Sequence, residues 1–268
     1  MREIVCLLLA LGALAPPPCA LALALGEDAA GSRMPVEEYG RWGYVDVPGG
    51  AVSESWWDYA GSFSAGLALV KQDGPYGYTD PEGNVVTEPQ WGNAGSFSEG
   101  LALVQKHGKW GYIDAAGEVV IQPRWDDAWP FSEGLGLVKK DGEYGYIDAA
   151  GEVVIAPQWD IAYPFSEGLA GVQKDGWWGY IDAAGNLVIA LRWEGAGSFS
   201  EGLGRVKKDG KWGYADPGGT LVIEAQWDAA ESFSGGLGRV HKDGKWGYID
   251  PAGSLLGESL SLAPEGTH

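Results

Sequence analysis

The stretch from Leu101 to Pro123 reads Leu-Ala-Leu-Val-Gln-Lys-His-Gly-Lys-Trp-Gly-Tyr-Ile-Asp-Ala-Ala-Gly-Glu-Val-Val-Ile-Gln-Pro. Three apolar runs stand out: Leu101 to Val104, Trp110 to Ile113, and Val119 to Ile121. Each is short, rich in β-branched or aromatic residues, and bounded by Gly, Pro or a polar turn, which is the composition of a strand. Sister stretches place Asp141-Gly142 and Asp209-Gly210 at the first turn. Asp-Gly takes the positive φ angles that a two-residue hairpin demands. The stretch therefore predicts a three-stranded antiparallel meander. A connection of about a dozen residues through Trp125 and Phe131 leads onward.

The same phrase recurs along the chain. An aromatic-Gly-Tyr triplet begins at Trp42, Tyr76, Trp110, Tyr144, Trp178, Trp212 and Trp246, each start 34 residues after the last (76 − 42, 110 − 76, and so on). Phe63 to Phe233 and Trp57 to Trp227 hold the same interval, so the chain is a tandem array. Helical hairpins also repeat at 34 residues, but glycine excludes them here. Gly supplies 44 residues, about 16% of the chain against roughly 7% usually, and falls inside the aromatic-Gly-Tyr run of every unit. An interior Gly costs a helix about 1 kcal/mol relative to Ala.

Within the middle strand Trp110 and Tyr112 share one face, and Gly111 and Ile113 the other. The flanking strands are apolar on both faces, so neighbouring units are expected to cover them. The triplet Gly would then let a bulky ring from the next unit approach. Asp46, Asp80, Asp114, Asp148, Asp182, Asp216 and Asp250 each precede a Gly by three positions, the arrangement of a turn rather than a shared catalytic or calcium site.

Taken together, Gly-Lys-Trp-Gly-Tyr-Ile-Asp at Gly108 to Asp114, the following Gly-x-Val-Val-Ile-x-Pro, and Phe-Ser-Glu-Gly-Leu closely resemble the bacterial WG (KWG) repeat. The resemblance spans roughly residues 40 to 256, with Tyr76 and Tyr144 replacing Trp, and Ala65 and Gly235 replacing Glu. It implies a β-rich repeat protein, often exported, with no established catalytic site and no functional residues to carry over. The expected fold is all-β, the units stacking as an open superhelical array, with a closed propeller of six or seven blades as the alternative. Six leading strands, Leu67 to Leu237, against seven triplets leave an N-terminal half unit from Arg41 to Glu54.

The expected domains are a secretory signal peptide at 1–26, a linker at 27–39, the repeat domain at 40–256 and a disordered tail at 257–268. Arg2, the apolar run from Ile4 to Ala15 and the small residues of Ala24-Leu25-Gly26 carry the first of these. A signal anchor is the alternative, though Pro16, Pro17 and Pro18 would interrupt a spanning helix. Both cysteines, Cys6 and Cys19, fall in that leader, so the mature chain would lack thiols and disulfides. Localisation is expected to be secreted or in the cell envelope.

A formal charge of −19 argues against nucleic acid and against anionic membrane surfaces. His107, His241 and His268 form no nucleophile–base pair and no metal-ligand spacing. Glu99, Glu133, Glu167 and Glu201 recur after Phe-Ser, which spreads them along the array rather than pairing them across one bond. No enzyme activity, cofactor, metal or mature membrane span is expected. Of 14 Trp, eleven belong to the two repeating columns and read as framework. Trp56, Trp129 and Trp177, with Tyr163, stand in columns otherwise polar or Gly, and are the candidate exposed binding aromatics. The expected function is a secreted scaffold for protein–protein interaction, with a lectin-like module stacking sugars on exposed Trp as the alternative. The partner is then a protein or a surface glycan.

Overall fold

The computed structural model describes residues 33–46 and 57–258, and these form 26 strands with no helix. The stretch expected to be a signal peptide and Trp56 lie outside the described residues. One hairpin comes first: β1 (Arg33–Glu38) pairs antiparallel with β2 (Arg41–Asp46). Six four-stranded sheets follow, each an antiparallel meander in chain order. The first comprises β3 (Tyr59–Ser64), β4 (Leu67–Lys71), β5 (Tyr76–Thr79) and β6 (Val85–Trp91). The second comprises β7 (Asn93–Ser98), β8 (Leu101–Lys106), β9 (Lys109–Asp114) and β10 (Val119–Trp125), and the pattern repeats to residue 258.

The meander thus has four strands where the sequence reading gave three. The extra strand comes from the stretch read as a connection. Phe97 pairs with Ala102 and Ser98 with Leu101 across a tight turn in which Glu99 (φ 51°) and Gly100 (φ 82°) are both left-handed. A bulge between Ala94 and Phe97 breaks the alternation, so the segment lacks a strand's period-two signal. The expected 27–39 linker likewise contains β1. This strand supplies a seventh leading strand and turns the N-terminal half unit into a hairpin. At the other end the last strand, Leu255–Glu258, runs two residues past the expected domain boundary.

The triplet Gly has a different cause from the one expected. In the unit spanning 127–159, Tyr146 pairs with Ile155 and Tyr144 with Trp159, so four steps on the outer strand oppose two on its partner. The bulged backbone folds over Gly145, where a Cβ would stand 2.6 Å from the Ile155 carbonyl oxygen and 2.6 Å from the Pro157 nitrogen. What approaches this glycine is the backbone of its own sheet.

The core lies between sheets. Leu101, Leu103, Tyr112, Ile121 and Trp125 of one unit pack with Ala128, Phe131, Val138 and Ile147 of the next. Every other cluster also joins consecutive units, and among the described residues none joins the last sheet to the first. The array is open.

Candidate interaction surface

The recurring polar side chains are engaged in joining units. Tyr112 Oη donates to the Trp129 carbonyl of the next unit at 2.8 Å, and its ring meets Phe131 edge-on at 4.9 Å. Tyr78, Tyr146, Tyr180 and Tyr214 repeat both contacts. Ser98 Oγ donates to the Phe131 carbonyl at 2.8 Å, and Ser132 to that of Phe165. Glu99 accepts the backbone N–H groups of Glu133 (2.7 Å) and Gly134 (2.9 Å), and Glu133 those of Glu167 (2.6 Å) and Gly168 (2.9 Å). These glutamates are latches, each holding the turn of the following unit. Ionised acceptors on backbone N–H groups make such bonds stronger than neutral ones.

The Asp residues serve turns and junctions. Asp114 Oδ1 accepts from the N–H groups of Ala116 and Glu118, closing the Asp-x-x-Gly turn, and Asp148 does the same with Ala150 and Glu152. Asp126, after the second Trp column, accepts from Asp141 N–H at 2.7 Å and pairs with Lys109. The Lys109 ammonium first, then the Asp141 N–H, hold its carboxyl below the usual carboxylate range. Lys211 acts likewise on Asp228, whose carboxylate in turn raises the lysine. Among the described residues no three His, Asp or Glu side chains gather to hold a metal ion.

Two of the candidate rings are not free platforms. Tyr163 lies half-buried and stacked on Trp178, with centroids 4.9 Å apart and planes inclined by 16°. Gly171 opposite leaves room for it, since a Cβ there would stand 3.1 Å from the Tyr163 ring. Trp129 is half-buried against Tyr144 at 5.5 Å and joins the neighbouring core cluster. Both cover a triplet ring, as Arg205 covers Trp212 and Arg239 covers Trp246 in later units. A column that holds Gly in one unit and a large residue in another is therefore not a marker of exposure. Trp177, at the tip of the hairpin joining Ala170–Lys174 to Trp177–Ile181, is 49% exposed. No ring contact among the described residues brings Trp129, Tyr163 and Trp177 together.

The sequence reading missed a second surface. Val120, Val153, Val154, Leu187, Val188 and Val222, on the fourth strands, are 40–48% exposed, with Leu255 and Leu256 higher still. No unit covers them. The doublet pattern was the available signal, because two consecutive apolar residues in a strand cannot both point into one core.

Charge is divided between the ends of the sheets. All eleven lysines fall on the hairpins joining second to third strands, where Lys106 opposes Lys109 and Lys208 opposes Lys211. The opposite end carries the Ser-Glu-Gly and Asp-x-x-Gly turns and no lysine. Arg124 and Arg192 reach toward it, donating to the Gly151 and Gly219 carbonyls. The exposed doublets begin two residues after the Gly that closes those acidic turns, as in Asp148-Ala149-Ala150-Gly151-Glu152-Val153-Val154.

Among solved structures, a eukaryotic initiation factor aligns with a TM-score of 0.52 at 11% identity, over 84% of this chain and 73% of that one. Dihydro-heme d1 dehydrogenase NirN, in complex with DHE, gives 0.47 at 13% identity over 88% and 64%. Apo AztD from Citrobacter koseri gives 0.38 at 12% over 84% and 81%. The initiation factor, at 11% identity, shares with this chain its β architecture alone. No curated protein sequence matches significantly. The model of the WG containing repeat matches residues 42–74, 76–110, 110–144, 144–176, 178–212 and 212–246, and the chain belongs to the WG-repeat family.

Proposed function

We propose that this chain is a secreted, non-enzymatic repeat scaffold that binds another protein at or outside the cell surface. One observation carries the reading. The side chains that recur with catalytic potential (Tyr, Ser, Glu and Asp) are engaged in latching units or closing turns, while a repeated apolar surface stands uncovered. An enzyme site needs unlike groups converging on one reacting atom, and repetition distributes like groups instead. The leader from Arg2 to Gly26 supports export. No helix among the described residues is long and apolar enough to cross a membrane.

Cross-linking of the protein on intact source cells, read by mass spectrometry, should recover a defined extracytoplasmic protein partner. A hydrolase activity abolished by Asp148→Asn with the fold intact would overturn the reading. A lectin-like role is the second reading, supported by the exposed Trp177 ring. Glycan-array binding that disappears in Trp177→Ala would favour it.

A further inference from the structure

The fourth strands present an apolar ladder bordered by acidic turns. We propose that this ladder docks a cationic polypeptide segment bearing aliphatic side chains, laid across successive units. The proposal rests on the protein-binding reading above and names the chemistry of the partner.

Three observations set the occupant. First, exposed apolar residues recur here in unit after unit, as pairs at Val153-Val154 and Leu187-Val188 in adjacent sheets and singly at Val85, Val120 and Val222, so the surface is a row rather than an isolated patch. Contiguous exposed apolar surface rimmed by polar groups is the mark of an interaction site. Second, the flanking turns supply Asp114, Glu118, Asp148, Glu152, Asp182 and Asp216 with no lysine beside them; Arg124 and Arg192 reach the Gly151 and Gly219 carbonyls, and the turns stay net acidic. A field of one sign selects a partner of the other. A second copy would bring the same acidic turns to the contact, and an anionic lipid surface would be repelled in the same way. Third, the fourth strands from Val85–Trp91 to Leu221–Trp227 are outer edges of their sheets and are bulged opposite the triplet Gly, with Pro89, Pro123 or Pro157 in the bulge of the first three and Leu191 or Ala225 in that of the next two. Bulges and prolines block addition of a further strand to an edge. The partner therefore reads side chains across the units and does not extend a sheet.

The test uses three labelled synthetic peptides, alternating Lys-Leu, Lys-Gly and Glu-Leu, titrated into the purified full chain and read by fluorescence anisotropy. The Lys-Leu peptide should bind more tightly than both others, and more weakly as salt is raised. The variant Val153→Ser/Val154→Ser/Leu187→Ser/Val188→Ser should weaken that binding by about tenfold or more, through lost apolar burial. Should this variant misfold, Glu118→Gln/Glu152→Gln, confined to exposed turn residues, should reduce the preference for Lys-Leu over Glu-Leu. Equal binding of all three peptides, or indifference to both variants, would overturn the proposal. So would sedimentation showing a dimer dissolved by the serine variant, or binding to phosphatidylserine vesicles through the same residues. A cross-linked protein partner lost in Trp177→Ser but kept in the serine variant would sink this proposal and leave the scaffold reading standing.

Discussion

Tyr214 and Tyr248 hold the same position in successive units, yet Tyr214 is 0% exposed and Tyr248 39%. The difference lies in the neighbour. Tyr214 donates to the Glu231 carbonyl at 2.7 Å and meets Phe233 edge-on at 4.9 Å, both supplied by the following unit. The described residues place no first strand beyond Tyr248. The latch column tells the same story. Glu201 holds Gly236 N–H at 2.9 Å, whereas position 235, for which the described residues provide no following turn, is Gly. A unit's aromatic face is thus buried by the next unit, and stability accrues at junctions as in other one-dimensional arrays.

The largest test of this comparison is alkaline unfolding. Burial pushes the phenols of Tyr44, Tyr78, Tyr112, Tyr146, Tyr180 and Tyr214 upward, that of Tyr214 to about 12. Their folded values exceed the unfolded one, so their contribution is full below about pH 10 and is lost as pH rises through the folded values. Circular dichroism and tyrosinate absorbance should therefore change together above pH 10. Six tyrosines ionising gradually with the β signal intact would break the junction account.

The next effect is a truncation pair. Tyr146→Ala removes a fully buried ring and a junction hydrogen bond and should cost about 3–5 kcal/mol in urea titrations. Tyr248→Ala, at the uncovered position, should cost about 1 kcal/mol. Equal losses would show that the following unit does not supply the burial energy.

The smallest effect separates two departures from the latch column. Ala65 has the left-handed backbone of the latch residues (φ 51°) and faces the Glu99-Gly100 turn, with Ser64 Oγ bonded to the Phe97 carbonyl at 3.0 Å. Ala65→Glu should restore a latch and stabilise by about 1 kcal/mol. Gly235→Glu imposes a side chain at φ 61° with no turn among the described residues to hold and should destabilise by about 1 kcal/mol. Thermal melts of both variants decide the matter, and a shift of the same sign in each would refute the latch.

Much of the site was legible only as position. Glu99 and its counterparts were visible as a column, but their bonds reach residues 34 and 35 positions away, which no local pattern encodes. Trp129 and Tyr163 looked exposed because their column also holds Gly95 and Gly197. The structure pairs each with a residue eight positions on, Leu137 or Gly171, through a backbone bond of 3.0 Å, and each ring covers a triplet ring of its own unit.

The sequence alone determined the 34-residue period, the all-β class, the Asp-Gly and Asp-x-x-Gly turns, and three strands of each unit. Those features follow from backbone preferences and alternation acting over a few residues, which the chain spells out directly. Tertiary structure decided the rest. The strand at Asn93–Ser98, the crossing of backbone over Gly145, the glutamate latches and the uncovered Val153-Val154 pair all depend on what another segment brings against them. Which face of an apolar strand is buried is set by the placement of the neighbouring sheet, and that placement is a property of the assembled array.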